Sequence, residues 1–169
     1  MNNTKLDIIG STEYVQICNI GHVPAKIDTG ADTSSVWASD IEMDTDGTLH
    51  FKLFDVGSSM YTGEQLTATD YRVKTIRSSN GSEQIRYRVM LPLTINGKTL
   101  ETGFTLANRS RNNFPVLIGR RTLDGNFLVD VSRTAVARTS NPHTPHLNRE
   151  LEQDPYKFHQ KYFKKKGEK

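Results

Sequence analysis

The stretch that decides the fold is Ala25-Lys26-Ile27-Asp28-Thr29-Gly30-Ala31-Asp32-Thr33-Ser34. Its apolar beginning predicts a strand that ends in a turn at Asp28-Thr29-Gly30. Gly30 permits a close backbone approach and unusual dihedral angles, so we expect the turn to present the Asp28 carboxylate. The Thr29 hydroxyl is a candidate for a bond across a dimer axis. Asp-Thr-Gly alone is ambiguous, because an aspartate at a turn also caps loops through its carboxylate.

A second segment, Phe114-Pro115-Val116-Leu117-Ile118-Gly119-Arg120, carries an apolar run followed by glycine and arginine. Together the two segments resemble the retropepsin pattern, in which the apolar-glycine strand passes beside the catalytic loop and supports it. The resemblance implies that Arg120 pairs with Asp32. It also implies a catalytic motif and its structural support, namely Asp28, Thr29 and Gly30 for the motif, and Asp32, Gly119 and Arg120 for the support.

Further segments narrow the resemblance, namely Arg77–Gly81, Asn108–Ser110, and Gly119–Leu123 with Val129-Asp130. They look like a bacterial family labelled ATP-dependent zinc proteases. Members of that family often accompany ATP-grasp ligases, which add glutamate to proteins or peptides. The resemblance runs from about Ile8 to Ser132, most of the chain, and it implies association with such a ligase.

The residues do not match the metal and nucleotide chemistry of that family label. The chain has no His-Glu-x-x-His motif and no glycine-rich loop ending in Lys-Ser/Thr. His143 and His146 are spaced like metal ligands but lie in a proline-rich segment without cysteine partners, so they are a weak candidate for zinc. We therefore expect no metal and no cofactor, and metal-dependent hydrolysis remains the weakest functional alternative.

The rest of the body reads as short strands joined by turns. Val89, Leu91, Leu93 and Ile95 occupy every second position, and Asn96-Gly97 then predicts a tight hairpin. Other predicted features are a hairpin turning at residues 79–82 between Tyr71–Ile76 and Ile85–Val89, a turn at Asp124-Gly125, and one short helix at Arg120–Leu123. This pattern predicts a mainly β fold, a closed acid-protease (retropepsin-like) barrel, over residues 1–132.

Residues 133–169 differ in composition from the body. This segment carries nine Lys/Arg against four Asp/Glu, whereas the body carries thirteen against fifteen. We interpret it as a basic, irregular C-terminal extension with weak helical character, and its Lys164-Lys165-Lys166 run as a solvated end rather than a nucleic-acid site. The single cysteine, Cys18, and the absence of long apolar runs and of a secretion signal favour a cytoplasmic protein without a membrane span.

Aspartic peptidases need two carboxylates that share one proton. The chain has one Asp-Thr-Gly, so the peptidase hypothesis requires a homodimer in which Asp28 from each subunit meets at the symmetry axis. We expect a flap over the site at Ser79, Asn80 and Gly81. Arg77, Arg86 and Arg88 flank that hairpin and either favour acidic peptides or are merely exposed. The alternative function is a non-catalytic module that recognises an ATP-grasp ligase or its acidic product.

Overall fold

The computed structural model describes residues 6–77, 81–137 and 144–163. The chain divides into two compact units, residues 1–137 and 138–169. Residues 133–137 belong to the first unit and bond to the start of its sheet. The backbone N–H of Ser11 donates to the carbonyl of Arg133 at 2.8 Å, and that of Ala135 donates to Thr12 at 3.1 Å.

The first unit is mainly β, as the sequence predicts. Its strands are β1 (Asp7–Ile9), β2 (Thr12–Ile17), β3 (Ile20–Ile27), β4 (Ser34–Met43), β5 (Leu49–Leu53), β6 (Gln65–Ala68), β7 (Tyr71–Arg77), β8 (Glu83–Ile95), β9 (Lys98–Ala107), β10 (Val116–Ile118) and β11 (Phe127–Val129). Six of them close into a barrel in the order β10-β3-β2-β8-β9-β4, because β10 pairs with both β3 and β4. The predicted closed barrel is thus confirmed.

The core of the barrel follows the alternation seen in the sequence. Val89, Leu91, Leu93 and Ile95 on β8 are all buried. Side chains of a strand alternate between its two faces, so this set points inward while Met90, Pro92 and Thr94 face outward. Asn96 and Gly97 both have positive φ, 50° and 78°, as the tight turn between β8 and β9 requires.

The hairpin of β7 and β8 projects from the barrel and has the predicted pairing. Tyr71 is opposite Val89, and Arg77 is opposite Glu83. Among the described strands β7 pairs with β8 alone, so no other described strand covers its second edge. This long hairpin is the element that carries the predicted flap.

The helix α1 (Arg120–Leu123) forms where the sequence predicts it, directly after β10. Gly125, with φ of 67°, turns the chain into β11, which pairs in parallel with β1. Ile8 and Leu128 stand opposite each other in this two-stranded sheet, and each exposes about half of its side chain. The sheet therefore presents apolar surface to solvent.

The second unit contains two helices where we expected an irregular segment, namely α2 (Thr144–Gln153) and α3 (Pro155–Tyr162). The Asp154 carboxylate accepts a hydrogen bond from the backbone N–H of Lys157 at 2.9 Å and so caps α3, with Pro155 in the first turn. This cap and this proline are standard helix-start signals, and they override the weak periodicity of the segment. No described helix of the chain is long and apolar enough to cross a membrane.

Candidate active site

The Asp28 carboxylate is held at the end of β3 by its own loop. The backbone N–H of Asp28 donates to Ile118 at 2.8 Å, which fixes the residue to β10. The Asp28 Oδ1 atom accepts from the N–H of Gly30 at 3.1 Å, and Lys26 Nζ lies 3.6 Å from Oδ2. One quarter of the Asp28 side chain is exposed. The turn therefore presents an oriented carboxylate that solvent and a ligand can reach.

Gly30 serves the loop by close approach rather than by unusual dihedral angles. Its φ does not lie in the positive range, which differs from the freedom that we expected it to use. A Cβ atom at this position would lie 3.3 Å from Asp28 Oδ1. The missing side chain thus leaves room for the carboxylate to fold back onto the Gly30 N–H.

Gly119, directly after β10, packs against the backbone of the same loop. A Cβ atom on Gly119 would lie 2.5 Å from the carbonyl carbon of Thr33 and 3.0 Å from the Ala31 oxygen. The next residue, Arg120, donates its backbone N–H to Ala31 at 2.8 Å. Only glycine lets the two backbones lie this close, so residues 118–120 act as a brace behind the loop.

A buried hydroxyl pair extends this brace into the barrel. The Ser34 and Thr122 hydroxyls lie 2.7 Å apart, and the N–H of Gly119 donates to Ser34 Oγ at 3.0 Å. Both side chains are buried. The two hydroxyls and the Gly119 N–H thus satisfy one another's hydrogen-bonding needs inside the core. The sequence did not indicate a role for either side chain.

Asp32 is the centre of an ion-pair cluster at the outer side of the loop. Its carboxylate lies 3.1 Å from Arg121 Nε and 3.3 Å from Lys74 Nζ, whereas Arg120 reaches only 4.0 Å. The predicted Arg120 pair is therefore the longest of the three contacts, and the adjacent Arg121 takes the closer position. Hydrogen bonds from Lys74 and Arg121 lower the pKa of the Asp32 carboxyl below its ordinary value of 3.8.

A cleft of about 400 Å³ opens beside the loop, beneath the β7–β8 hairpin. The hairpin, the loop and the segment after β9 each contribute to it. Its charged lining residues are Asp32, Lys74, Arg77, Arg86 and Arg109. Because Arg77 forms an ion pair with Glu83, and Lys74 with Asp32, the unbalanced positive charge comes chiefly from Arg86 and Arg109.

Arg109 is the cleft residue with the clearest electrostatic link to Asp28. Burial lowers the pKa of the Arg109 guanidinium, the nearby Arg86 lowers it further, and Asp28 acts in the opposite direction. The Arg109 Nε–H donates to the Phe114 carbonyl at 3.1 Å, which holds the side chain in place. Sequence reasoning quoted Arg109 only within a motif, and it did not single out Lys74 or Arg109 for this cleft.

The predicted flap residues, Ser79, Asn80 and Gly81, fall between β7 and β8 in the sequence. Ser79 and Asn80 lie outside the described residues. Gly81 has a φ of 83°, which is typical of a glycine at a tight turn. Among the three arginines near the hairpin, Arg86 lines the cleft directly, Arg77 lines it while paired with Glu83, and Arg88 lines a different pocket.

A second, larger groove lies on the other side of the loop, where Thr29 is exposed. Its volume is about 840 Å³. Five of its lining residues are apolar and come from the segment before β1, from α1 and from β11, namely Leu6, Leu123, Phe127, Leu128 and Val129. The charged residues Asp32, Arg120, Arg121 and Asp124 line the rest of it together with Thr29 and Gly125. Thr29 therefore lies between the charged cleft and this second groove, whose apolar part we call the apolar groove.

The described residues contain no group of three or more His, Cys, Asp or Glu side chains arranged to hold a metal ion. His146 lies 3.9 Å from Glu150 on α2, and its suggested partner His143 lies outside the described residues. The expectation that the protein uses no metal stays a prediction.

Comparisons with known proteins bear on the whole first unit. A family model described as "Retropepsin-like aspartic endopeptidase RimB" matches residues 8–140. Proteins named probable alpha-L-glutamate ligase are 29% identical over 139 residues in Shewanella pealeana and 27% identical over 128 residues in Desulfotalea psychrophila. These matches cover 79% and 73% of this chain but only 30% and 28% of the relatives, so the chain spans less than a third of their length.

A solved structure has the same fold. It is a Legionella pneumophila protein of unknown function, with a TM-score of 0.59 and 24% sequence identity. The match covers 77% of this chain and 97% of that one. At this identity the likeness concerns the barrel architecture and not the chemistry.

Proposed function

The chain belongs to the RimB-like family of retropepsin-like aspartic endopeptidases, and from that premise we propose that it is a homodimeric aspartic endopeptidase. The observation that carries the proposal is the solvent-reachable carboxylate of Asp28, which its loop holds in place next to a cleft. One chain supplies one such carboxylate in one Asp-Thr-Gly motif. Two copies related by a two-fold axis would supply the second, because an isologous interface brings identical residues together.

In the proposed mechanism the two Asp28 carboxylates share one proton. Like charges roughly 3 Å apart cannot both ionise, so one group is a carboxylate and the other a carboxylic acid. The carboxylate takes a proton from a water molecule, which attacks the carbonyl carbon of the peptide bond. The carboxylic acid donates its proton to the carbonyl oxygen, which gives a gem-diol intermediate. The Asp28 that took the proton from water then gives it to the amide nitrogen, the other Asp28 takes a proton back from a hydroxyl of the gem-diol, and the C–N bond breaks to release an amine and a carboxylic acid. Thr29 of each copy would buttress the partner loop across the axis.

The apolar groove beside Thr29 is the surface that we assign to the second copy. It begins at the residue next to Asp28 and continues onto the exposed apolar face of the β1–β11 sheet. Ile8 and Leu128 on that sheet expose about half of their side chains, and burial of such surface against a partner is favourable. An interface at this place would bring the two Asp28 loops toward each other.

The proposed substrates are acidic peptides or protein segments. Arg86 and Arg109 leave the cleft with a positive balance, and a cleft lined by one sign of charge attracts ligands of the other. The relatives named as glutamate ligases suggest a functional link to an ATP-grasp ligase, whose glutamate-rich product would suit such a cleft. We also propose a cytoplasmic location, where ligase and peptidase would meet.

The test is cleavage of a fluorogenic glutamate-rich peptide by the full chain. Asp28→Asn should abolish cleavage while leaving the circular dichroism spectrum and the melting temperature close to those of the wild type. Pepstatin is expected to inhibit the wild-type enzyme. Asp70→Asn is the matched control, because Asp70 is a highly exposed aspartate paired with Arg72 on the hairpin. Undiminished cleavage by Asp28→Asn would refute the mechanism.

A binding module is the second candidate, and the charged cleft favours it equally. In that case the wild type binds acidic peptides without cutting them, and Asp28→Asn leaves the binding constant unchanged. If the wild-type protein cleaves the peptide faster than the Asp28→Asn variant does, the endopeptidase is the correct function.

A further inference from the structure

Lys26 places a positive charge beside the Asp28 carboxylate. Its ammonium nitrogen lies 3.6 Å from Asp28 Oδ2, and about half of the Lys26 side chain is exposed. The neighbours of Lys26 in the chain, Ala25 and Ile27, are buried, so the alternation along β3 turns the lysine to the outer face of the sheet. A ligand that reaches Asp28 can therefore also meet this ammonium group.

A row of paired residues connects Lys26 with the charged cleft. Lys26 stands opposite Leu117 on β10, and Leu117 in turn stands opposite Ser35 on β4. Residues that are paired across neighbouring strands project from the same face of a sheet. Leu117 and Ser35 both line the cleft. The Lys26 side chain therefore extends from the face of the barrel that carries the cleft.

The charges around the proposed dyad do not balance. In the isolated chain Asp28 neutralises Lys26. In a dimer, two Lys26 ammonium groups would face two Asp28 side chains that share one proton and so carry one negative charge. Arg109 adds positive charge, because its guanidinium interacts electrostatically with Asp28. At least one cation next to the dyad would thus lack an anionic partner until a substrate supplies one.

We propose that Lys26 determines specificity at the cleaved bond, by binding the carboxylate of a substrate side chain next to that bond. The inference rests on the proposed endopeptidase function and assigns the preference for an acidic residue at the point of cleavage to one side chain. A lysine ammonium group on its flexible stem can follow a carboxylate without a fixed geometry. A bound peptide also excludes water from this contact, which strengthens the attraction between the two charges.

The test compares cleavage at individual bonds of two peptides. The full chain is incubated with octaglutamate and with a version whose fourth residue is Gln, and mass spectrometry quantifies the products of each cut. The rate at a bond next to Gln, relative to the same bond of octaglutamate, measures the effect of that carboxylate. For the wild type we expect this rate to fall about tenfold at one of the two bonds that flank Gln, the size of one charge-assisted contact.

Lys26→Met removes the charge and keeps a side chain of similar length. This variant should cut the bonds next to Gln and next to Glu at similar rates, and Lys26→Gln, a second neutral variant, should do the same. Lys26→Arg should retain the preference for Glu because it keeps the charge. Lys52→Met is the matched control, since Lys52 is also a strand lysine paired with an aspartate, Asp40 at 2.9 Å, and it should discriminate like the wild type.

Two results would overturn the inference and leave the endopeptidase proposal intact, because the peptides are cleaved in both. One is that the neutral Lys26 variants discriminate against Gln as strongly as the wild type does. The other is that the wild type cuts next to Gln and next to Glu equally fast. Absence of any cleavage by the wild type would overturn both proposals.

Discussion

Gly119 lies so close to Thr33 that a single added carbon on the glycine would overlap the threonine carbonyl, at 2.5 Å from its carbon and 2.6 Å from its oxygen. The contact joins two backbones, neither of which can move without displacing the Asp28 loop. The arrangement of the site therefore depends on a glycine that packs behind the Asp28 loop.

Replacing Gly119 with alanine should destabilise the protein by about 1–3 kcal/mol, the usual effect of inserting a methyl group into a packed region. Urea denaturation of the full chain measures the free energy of unfolding. Gly21→Ala is the control, because a Cβ atom at Gly21 would meet nothing within 4 Å. Equal stabilities of the two variants would contradict the close contact at Gly119.

Asp32→Asn should lower stability in a way that depends on pH. The folded-state pKa of Asp32 is depressed by Lys74 and Arg121, so its ion pairs contribute stability above the unfolded pKa of about 3.8. That contribution is lost as the pH falls through the depressed folded pKa. The difference in unfolding free energy between wild type and Asp32→Asn should thus be constant near neutral pH and shrink below about pH 4.

Urea denaturation at a series of pH values from neutral to acidic checks this prediction. Asp70→Asn is again the control, because a highly exposed ion pair contributes little to stability. A difference between wild type and Asp32→Asn that grows on acidification would show that the sign of the linkage is wrong.

Arg109→Gln should weaken the binding of acidic peptides because it removes a half-buried positive charge from the cleft next to Asp28. In the Asp28→Asn background we expect the affinity for octaglutamate to fall about tenfold, the size of one charge-assisted contact. The affinity should also depend less on salt concentration than it does with Arg109 present. Arg111→Gln, at a nearby exposed arginine, should change neither quantity.

Leu128→Glu should convert the proposed dimer to monomers. Leu128 is about half exposed on β11 and lines the apolar groove beside Thr29, so a charge there would be buried unpaired in the interface. Analytical ultracentrifugation should show a loss of dimer, and cleavage should become steeply dependent on protein concentration. Val56→Glu is the control, because Val56 is almost fully exposed in the loop between β5 and β6, and this variant should remain dimeric and active. A Leu128→Glu variant that dimerises normally would remove the groove from the interface.

Much of the fold could be predicted because its signals are local. Asn96-Gly97 encodes its hairpin through positive φ at both residues, and the alternation of Val89 to Ile95 encodes the buried face of β8. Arg120–Leu123 follows a glycine and forms the helix that its position indicates. Such features depend on a few neighbouring residues, so no tertiary information is needed to read them.

The site residues that the sequence did not predict are brought together by tertiary contacts. Lys74 and Arg109 reach the cleft from distant segments, and no pattern in either segment indicates that they meet near Asp32 and Asp28. Which of two adjacent arginines pairs with Asp32 is set by the direction of the first turn of α1, and the observed partner at the shorter distance is Arg121. The buried Nε of Arg88, which has no hydrogen-bond partner among the described residues, could not be predicted either, because its burial depends on the packing of Arg88 over Gly103 of the neighbouring strand.

The most direct test of the proposed shared dyad is a subunit-mixing experiment. Wild-type protein is mixed with increasing amounts of Asp28→Asn, given time to exchange subunits at constant total concentration, and assayed on the glutamate-rich peptide. If each site needs Asp28 from both copies, cleavage falls as the square of the wild-type fraction, to about a quarter in an equal mixture. A linear fall, to about half, would mean that one chain works alone and would contradict the dyad.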